Sequence, residues 1–392
     1  MTTTTADTAV LTAIRALTAE IAERAAEIEE GGVVPSDLLD RISDAGAFRM
    51  FVARRFGGEE LSLPAALAVL EEIARADAST AWTVMIGADF GLVFGRFPGD
   101  VLDAEIYRDG PNAMARGAFA PKGVAVPEDG GYRVSGQWPL ASGSYTHQWV
   151  MGNCIVLKDG QPTMTGLGVP DTRLVVVPAG EATFVSTWDS VGLRGTNSND
   201  VVLNDVFVPE RHATQFYGPP SVDAPVFTLP VQVALAPTHA AVVLGIAEGA
   251  LEDLRAIAKT KRPAFNPGMR VAEDPVFQYR LGLLQTRLAT VRALIEREVN
   301  VIWEAALTGA SITDIAGARV RAMVAWSHTE CVEIVNSAFG LAGSNAMYRS
   351  SSLQRRLRDV RTAAQHVSAT AEIYQILGAL LTGQDVPPAA RI

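Results

Sequence analysis

Cysteine is almost missing from these 392 residues. The two present, Cys154 and Cys331, are too few and too far apart for a disulfide framework or a thiolate metal cage, and they point to a reducing cytoplasm. Histidine is scarce too. His147, His212, His239, His328 and His366 are scattered along the chain, and with no HExxH and no paired CxxC no metal site is expected. The nucleotide-phosphate cradles GxGxxG and GxxxxGK[ST] are absent. So is the GxSxG elbow; "ASGSYTH" sets serine and histidine close together, but on a strand and turn. Positive charge is in deficit, with 33 Lys and Arg against 43 Asp and Glu, a net −10 that argues against a nucleic-acid surface. The densest basic run, Arg355, Arg356, Arg358 and Arg361, is too short to change that. The opening "MTTTTADTAV" lacks a basic start and a continuous apolar core, so it reads as a tail and not a secretory signal. The longest apolar stretch, residues 233–251, contains Pro237, His239 and Glu248 and reads as a buried core helix.

What is present falls into three blocks, and 48% hydrophobic residues are enough for a large core. In the first, Val10, Leu11, Ile14, Leu17, Ile21 and Ile28 recur every three or four positions, predicting a helix over 8–28. "PSDLLDRISDAG" offers Ser36 or Asp37 as a cap and Gly46 as a stop. "SLPAALAVLEEIARAD" begins at Ser62 with Pro64 in its first turn. "STAWTVMIGADFGLVF" is apolar nearly all round and should be an interior helix. In the second block, β-branched runs such as "YRVSGQW", "WVMGNCIVL" and "DVVLNDVFVP" are separated by Gly, Pro, Asp and Asn, predicting antiparallel strands. Long helical patterns return from Val231, over 274–308, 313–339 and 353–382, with "FNPGMRVAEDP" as a loop. The expected class is α+β: a helical domain over 1–118, a β domain over 119–228 and a helical domain over 229–392.

The apolar helix carries Trp82, Met85, Phe90 and Phe94, which would suit an aromatic or polyketide-sized ligand and would equally suit an ordinary helix interior. "GQWPLASGSYTHQWV", 136–150, gathers tryptophans, hydroxyls, a glycine turn and a histidine in one strand-like stretch. His147 there would also serve as a polar strand residue facing water.

The helical, β, helical order, the stretches "YRVSGQWPLASGSYTHQWV" and "WDSVGLRGTNSNDVVLNDVFVP", and the tail "LQRRLRDVRTAAQHV" together resemble the acyl-CoA dehydrogenase superfamily over nearly the whole chain. The resemblance implies a flavin held against the β domain. It places Trp138 by the isoalloxazine ring, Ser142 at the ring edge near N5 with Gly143 beside it, and Arg194 and Thr196 further around the cofactor. An aromatic ring fixes a flat plate by offset or edge contact, and a short hydroxyl addresses its polar edge. The residue-level alternatives are a core tryptophan for Trp138 and a turn fixed by two glycines for "RGT". Arg355, Arg356 and Arg358 are either a flavin-phosphate contact across a subunit boundary or an ion-paired helix face, with Asp359 holding one of them.

The dehydrogenases place a glutamate in a "YEGTSE" type of sequence soon after the "RD" of the tail. Here His366 and Val367 stand at that spacing, and the next acid is Glu372. A second base position in some relatives lies on the first helix after the β domain, where Glu248 and Glu252 are found; Glu252 reads as a solvated helix carboxylate. The "SG" strand end and the "RD…H" tail instead resemble the flavin-dependent monooxygenases of this fold, the oxygenases of two-component systems. That branch implies reduced flavin, FMN or FAD, from a separate reductase, with O2 as cosubstrate. It implies a C4a-hydroperoxide, hydroxylation of an aromatic, heteroatom or polyketide-type small molecule, and a homotetramer with a C-terminal four-helix-bundle core. His366 and Ser142 then take the catalytic places. A neutral imidazole can accept a proton or orient a peroxide near neutral pH, and a serine hydroxyl can both donate and accept at the flavin edge. The rival readings are a flavin dehydrogenase or desaturase, and a non-catalytic scaffold that binds flavin or a partner.

Overall fold

Apolar residues at helical spacing dictate the first block. The computed structural model describes residues 8–143 and 147–387, so most of the threonine-rich start lies outside the described residues. Helix α1 (Ala9–Glu23) buries Val10, Leu11, Ile14, Leu17 and Ile21 on one face, and Thr8 Oγ1 caps it by accepting the Leu11 amide. The helix expected over 8–28 divides at Arg24, after which α2 (Ala25–Gly31) begins; the Arg24 side chain bonds Glu27 and Asp37. Helices α3 (Ser36–Asp44), α4 (Leu63–Ala76), α5 (Ala78–Phe94) and the single turn α6 (Gly99–Val101) follow. Ser62 caps α4 through the Ala65 amide, with Pro64 in the first turn. Helix α5 is buried on nearly every side, as its all-round apolar sequence requires.

The middle block is one sheet of β1 (Ala115–Glu128), β2 (Gly131–Trp138), β3 (Trp149–Lys158), β4 (Gln161–Pro162), β5 (Thr172–Pro178), β6 (Thr183–Val185), β7 (Asp200–Pro209) and β8 (Ala213–Thr214). Its order is β6-β7-β2-β1-β3-β5-β8, with β4 against β3. The expected all-antiparallel arrangement needs one correction, because β1 and β3 pair in parallel. β2 returns antiparallel along β1 toward its start, from Gly131 beside Glu128 to Gly136 beside Gly123. The chain then crosses that end of the sheet, so β3 must start there too. Ser142 and Gly143 lie just after β2, at this end of the sheet.

In the last block α7 (Pro225–Thr228) leads into α8 (Val231–Thr260), α9 (Pro275–Thr308), α10 (Asp314–Ala342), α11 (Ser352–Ala363) and α12 (Glu372–Leu381). Helix α8 is long and apolar enough to span a membrane, but its most apolar window is 94% buried inside the protein, so it is the core helix the sequence indicates. It packs on α4, α5, α9, α10 and α11. The single helix expected over 353–382 is interrupted between α11 and α12. His366 lies in that interruption with extended backbone, and its Nδ1 accepts the Ser368 amide. A side chain that takes a backbone donor in this way competes with the helix.

The basic run on α11 binds the blocks together. Asp359 Oδ1 accepts the Leu193 amide at 2.7 Å, Arg358 Nη1 donates to the Val191 carbonyl at 2.7 Å, and Arg356 pairs with Asp253 of α8 at 2.7 Å. Burial pushes the Asp359 carboxyl up to about 7.

Candidate active site

Three segments converge on Trp82. Its indole Nε1 donates to Ser142 Oγ at 3.2 Å, inside the protein. Ser142 Oγ lies 2.7 Å from Ser198 Oγ, and Ser198 Oγ lies 2.6 Å from Thr196 Oγ1, which donates to the Leu193 carbonyl at 2.9 Å. The result is a buried row of hydroxyls, each able to donate and accept. Arg116, itself buried, holds the two segments that carry this row: its guanidinium donates to the carbonyls of Ala141 and Asn197. Gly143 completes the joint by donating its amide to the Thr196 carbonyl at 3.1 Å. Its φ of +148°, and the 2.8 Å that would separate an added Cβ from Arg116 Cγ, both require glycine.

On the other side of Trp82 lie two imidazoles. His366 stacks on His239 with centroids 4.2 Å apart, and both meet the indole edge-on, at 5.6 and 5.4 Å. Burial drives both rings toward the neutral form, with nearby His328 adding to the effect. His366 falls to about 4, His239 goes well below its ordinary value, and His328 also falls to about 4. The tautomers follow from the partners. His366 Nδ1 accepts the Ser368 amide at 3.2 Å, so a neutral His366 carries its proton on Nε2. His328 Nδ1 faces the Val324 carbonyl at 2.9 Å and must donate, leaving Nε2 as a bare acceptor. Nε2 of His239 and Nε2 of His328 are both buried without a partner, an arrangement that costs free energy until something fills it.

Asp89, two turns along α5 from Trp82, is fully buried with Oδ1 unpartnered. Thr238 Oγ1 sits 2.6 Å from the Leu235 carbonyl and 3.1 Å from Asp89 Oδ2. One hydroxyl has one proton and a carbonyl only accepts, so a protonated Asp89 satisfies both contacts. Burial raises this carboxyl well above its ordinary range, in agreement.

The structure brings Ser142, Gly143, Thr196, Trp82 and His366 together and leaves other sequence candidates elsewhere. Trp138 is a correction. It is fully buried in the β-domain core, its Nε1 donates to the Asn153 carbonyl at 2.9 Å, and its ring fills a hollow lined by Gly123, Gly136 and Gly152. With no exposed surface it is a packing residue, and the indole beside Ser142 is that of Trp82. Arg358 is committed to Glu29 at 2.5 Å and to Val191, the ion-paired alternative. Arg194 bonds the carbonyl of Ser190 and pairs with Asp189 within its own turn. Phe90 meets Phe119 edge-on, Phe94 packs on Tyr107 about a third of a turn away from the Trp82 face, and Met85 lies in the helical core. His147 sits edge-on to Phe184. Glu252 pairs with Arg75 at 3.1 Å and Glu248 with Arg292 at 3.3 Å, so neither is a free base. Among the described residues no group of histidines, cysteines or acids has metal-binding geometry.

Sequence reasoning missed Ser198, Arg116, Asp89, Thr238, His239 and His328 as members of the site. A lone buried-type arginine in "NAMARGAF" and an aspartate inside an otherwise apolar helix were the available signals. The contributions of His239 and His328 depend on how α8 and α10 pack, which no local pattern states.

The residues fit the polar edge of a flavin. The hydroxyl row ends beside Asn197, whose Nδ2 is buried with no partner, and donors and acceptors in a line are what a ring edge of alternating nitrogens and carbonyls requires.

Comparison with known proteins bears on the same site. The family models "Acyl-CoA dehydrogenase, N-terminal domain" and "Acyl-CoA dehydrogenase, C-terminal domain" match residues 4–96 and 237–371. An indole-3-acetate monooxygenase of Pseudomonas putida is 29% identical over 93% of this chain and 91% of that protein. The oxygenase component of an FADH(2)-dependent resorcinol hydroxylase of Rhizobium sp. (strain MTP-10005) is 28% identical over 88% of this chain and 86% of its own length. The structure of XiaF from Streptomyces sp. in complex with FADH2 and glycerol superposes with a TM-score of 0.89 at 25% identity, covering 97% of this chain and 96% of that one.

Proposed function

Since this chain belongs to the acyl-CoA dehydrogenase superfamily, we propose that it is a flavin-dependent monooxygenase, the oxygenase component of a two-component system, acting on a small aromatic molecule. The observation that carries this reading is a hydroxyl row and a pair of neutral imidazoles around Trp82, with no free carboxylate base. A dehydrogenase must remove a proton α to a thioester. Glu248 and Glu252 are tied to arginines, and Asp89 is buried against Thr238; that burial raises its proton affinity, favouring the protonated form and making it a poor base.

Bound reduced flavin supplies the two electrons that let one atom of O2 enter the substrate while the other leaves as water. The chain's residues set the conditions. Ser142 Oγ, oriented by the Trp82 N–H and backed by Ser198, offers both a donor and an acceptor to the ring edge. His366, neutral at pH 7 and protonated on Nε2, offers a hydrogen bond without giving up a proton. The orienting role expected of it is therefore supported, and the base role is not. The unpartnered Nε2 atoms of His239 and His328 accept from a donor such as a phenol O–H or a ring N–H, and the apolar α5 excludes water. Relatives named for indole-3-acetate and resorcinol support an aromatic substrate carrying such a donor. A homotetramer built on the C-terminal helices is the assembly this reading implies, and exposed Val276, Tyr279 and Leu283 on α9 support it. A flavin reductase in the same cytoplasm completes the system.

The test supplies the purified chain with reduced FMN or FAD, O2 and indole-3-acetate or resorcinol. Hydroxylated product, formed only with reduced flavin and with tighter binding of reduced than oxidised flavin, is expected. Anaerobic reduction of bound flavin by an acyl thioester, with no hydroxylation of any aromatic, would overturn the reading.

A further inference from the structure

Arg96 follows the C-terminus of α5 and is 8% exposed. Its Nη1 donates to the Gly218 carbonyl at 2.6 Å and its Nη2 to the Leu229 carbonyl at 3.4 Å, while Nε has no partner. Among the described residues no carboxylate pairs with it, and burial alone lowers its proton affinity. A buried charge is ordinarily paired, because an ion taken out of water loses its hydration. Carbonyl dipoles offset only part of that loss.

Arg96 is among the residues lining a cleft of about 380 Å³ between the 165–172 loop, the 215–217 segment and the start of α8. The one carboxylate in the lining, Asp171, is bound to Arg173 at 2.7 Å. Gln232 and Tyr217 bond each other at its edge, at 2.6 Å. The inner wall is Phe216, which stacks on Phe119 at 4.7 Å; Phe119 in turn meets Phe90 of α5 edge-on at 5.4 Å. A line of aromatic rings thus runs from the cleft to the helix that carries Trp82. Fourteen positions separate Trp82 from Arg96, roughly 20 Å along the chain at helical rise.

We propose that this cleft is a binding subsite for the anionic end, a carboxylate or a phosphate, of an elongated small-molecule ligand, with Arg96 as the recognising residue. The anion completes the guanidinium's charge pairing, and the apolar remainder of the ligand lies along Phe216. The proposal goes beyond the oxygenase reading and stands without it, because it concerns binding alone.

The experiment is titration calorimetry on the full chain without flavin, reductase or substrate turnover, so its failure leaves the oxygenase reading untouched. The probes are phenylhexanoate, phenylhexyl phosphate and the neutral phenylhexanamide. At least one charged probe should bind about tenfold or more tightly than the amide, the advantage of a charge-assisted hydrogen bond, and the tighter of the two identifies the anion. Arg96→Gln should abolish the difference and Arg96→Lys should keep part of it. Gln232→Trp, which narrows the cleft without touching the guanidinium, should weaken every probe about tenfold, and it decides the matter if the Arg96 variants fail to fold. Equal binding of charged and neutral probes, no binding of any probe, or parental affinity in a folded Arg96→Gln or Gln232→Trp would each overturn the proposal.

Discussion

The Trp138 ring closes into a glycine-lined hollow with Asn153 Oδ1 the one unpartnered polar atom on its bonding residue, whereas the helices close around Trp82 with unpartnered atoms on His239 and, two turns along α5, on Asp89. Both indoles are buried and both N–H groups are satisfied. Trp138 donates to a backbone carbonyl and fills a hollow made by three glycines. Trp82 donates to a hydroxyl that is itself part of a row, and its ring touches two neutral imidazoles, one with a bare nitrogen. Unpartnered nitrogens on His239 and His328, with Asp89 Oδ1 on the same helix as Trp82, mark the helical side as the place prepared for a ligand.

The largest effect that would sharpen this contrast is on stability. Trp138→Ala should cost about 3–5 kcal/mol, the usual cost of emptying a tryptophan site, while molecules that remain folded keep the parental yield of product per O2 consumed. Denaturant unfolding and a coupling assay check the two halves. A lower yield from folded protein would return Trp138 to the site.

Next in size is His366→Ala, which should lower hydroxylation by roughly 10²–10³-fold, as expected for loss of a preorganised donor, with hydrogen peroxide appearing in place of product. His366→Asn keeps an N–H donor and cannot take up a proton. It should recover most of the product, and continued failure of the asparagine variant would restore the general-base role.

How far these residues could be read in advance follows the range of the interactions that fix them. Ser142, Gly143 and the interior helix bearing Trp82 were legible because a turn glycine, a short hydroxyl and all-round apolarity are local properties. The exchange of roles between Trp138 and Trp82 was not. The hollow that captures Trp138 needs glycines from three strands, and the bond from Trp82 needs the crossing imposed by the parallel β1–β3 pair. The break at His366 escaped helical periodicity because one side chain accepting one amide decides it. His239 and His328 look like core histidines in the sequence, and only the packing of α8 against α10 gives them a shared purpose.

A smaller effect separates the two regions by pH. In the folded protein His328 titrates near 4, below the ordinary 6.5 of an unfolded chain. Between these values the unfolded state binds the extra proton, so this residue's contribution to stability is lost as pH falls and is complete above about 6.5. Parent protein should therefore gain on His328→Gln as pH rises from about 4 to 6.5, measured by unfolding midpoints. A difference that does not change with pH would mean the ring is not held neutral. Smallest of all is Glu252→Gln, which removes a partly exposed pair with Arg75 and should change stability by about 0–1 kcal/mol with turnover unchanged. Loss of turnover would revive a dehydrogenase-type base on α8.

Ser142 joins Trp82 to the hydroxyl row and so links the two halves of the site. The direct measurement is the ratio of hydroxylated product to hydrogen peroxide for parent and Ser142→Ala, with reduced flavin supplied by a reductase and unfolding midpoints taken on the same preparations. The predicted result is near-parental stability with a ratio that falls severalfold or more. A folded Ser142→Ala protein with the parental ratio would contradict the assignment of this site.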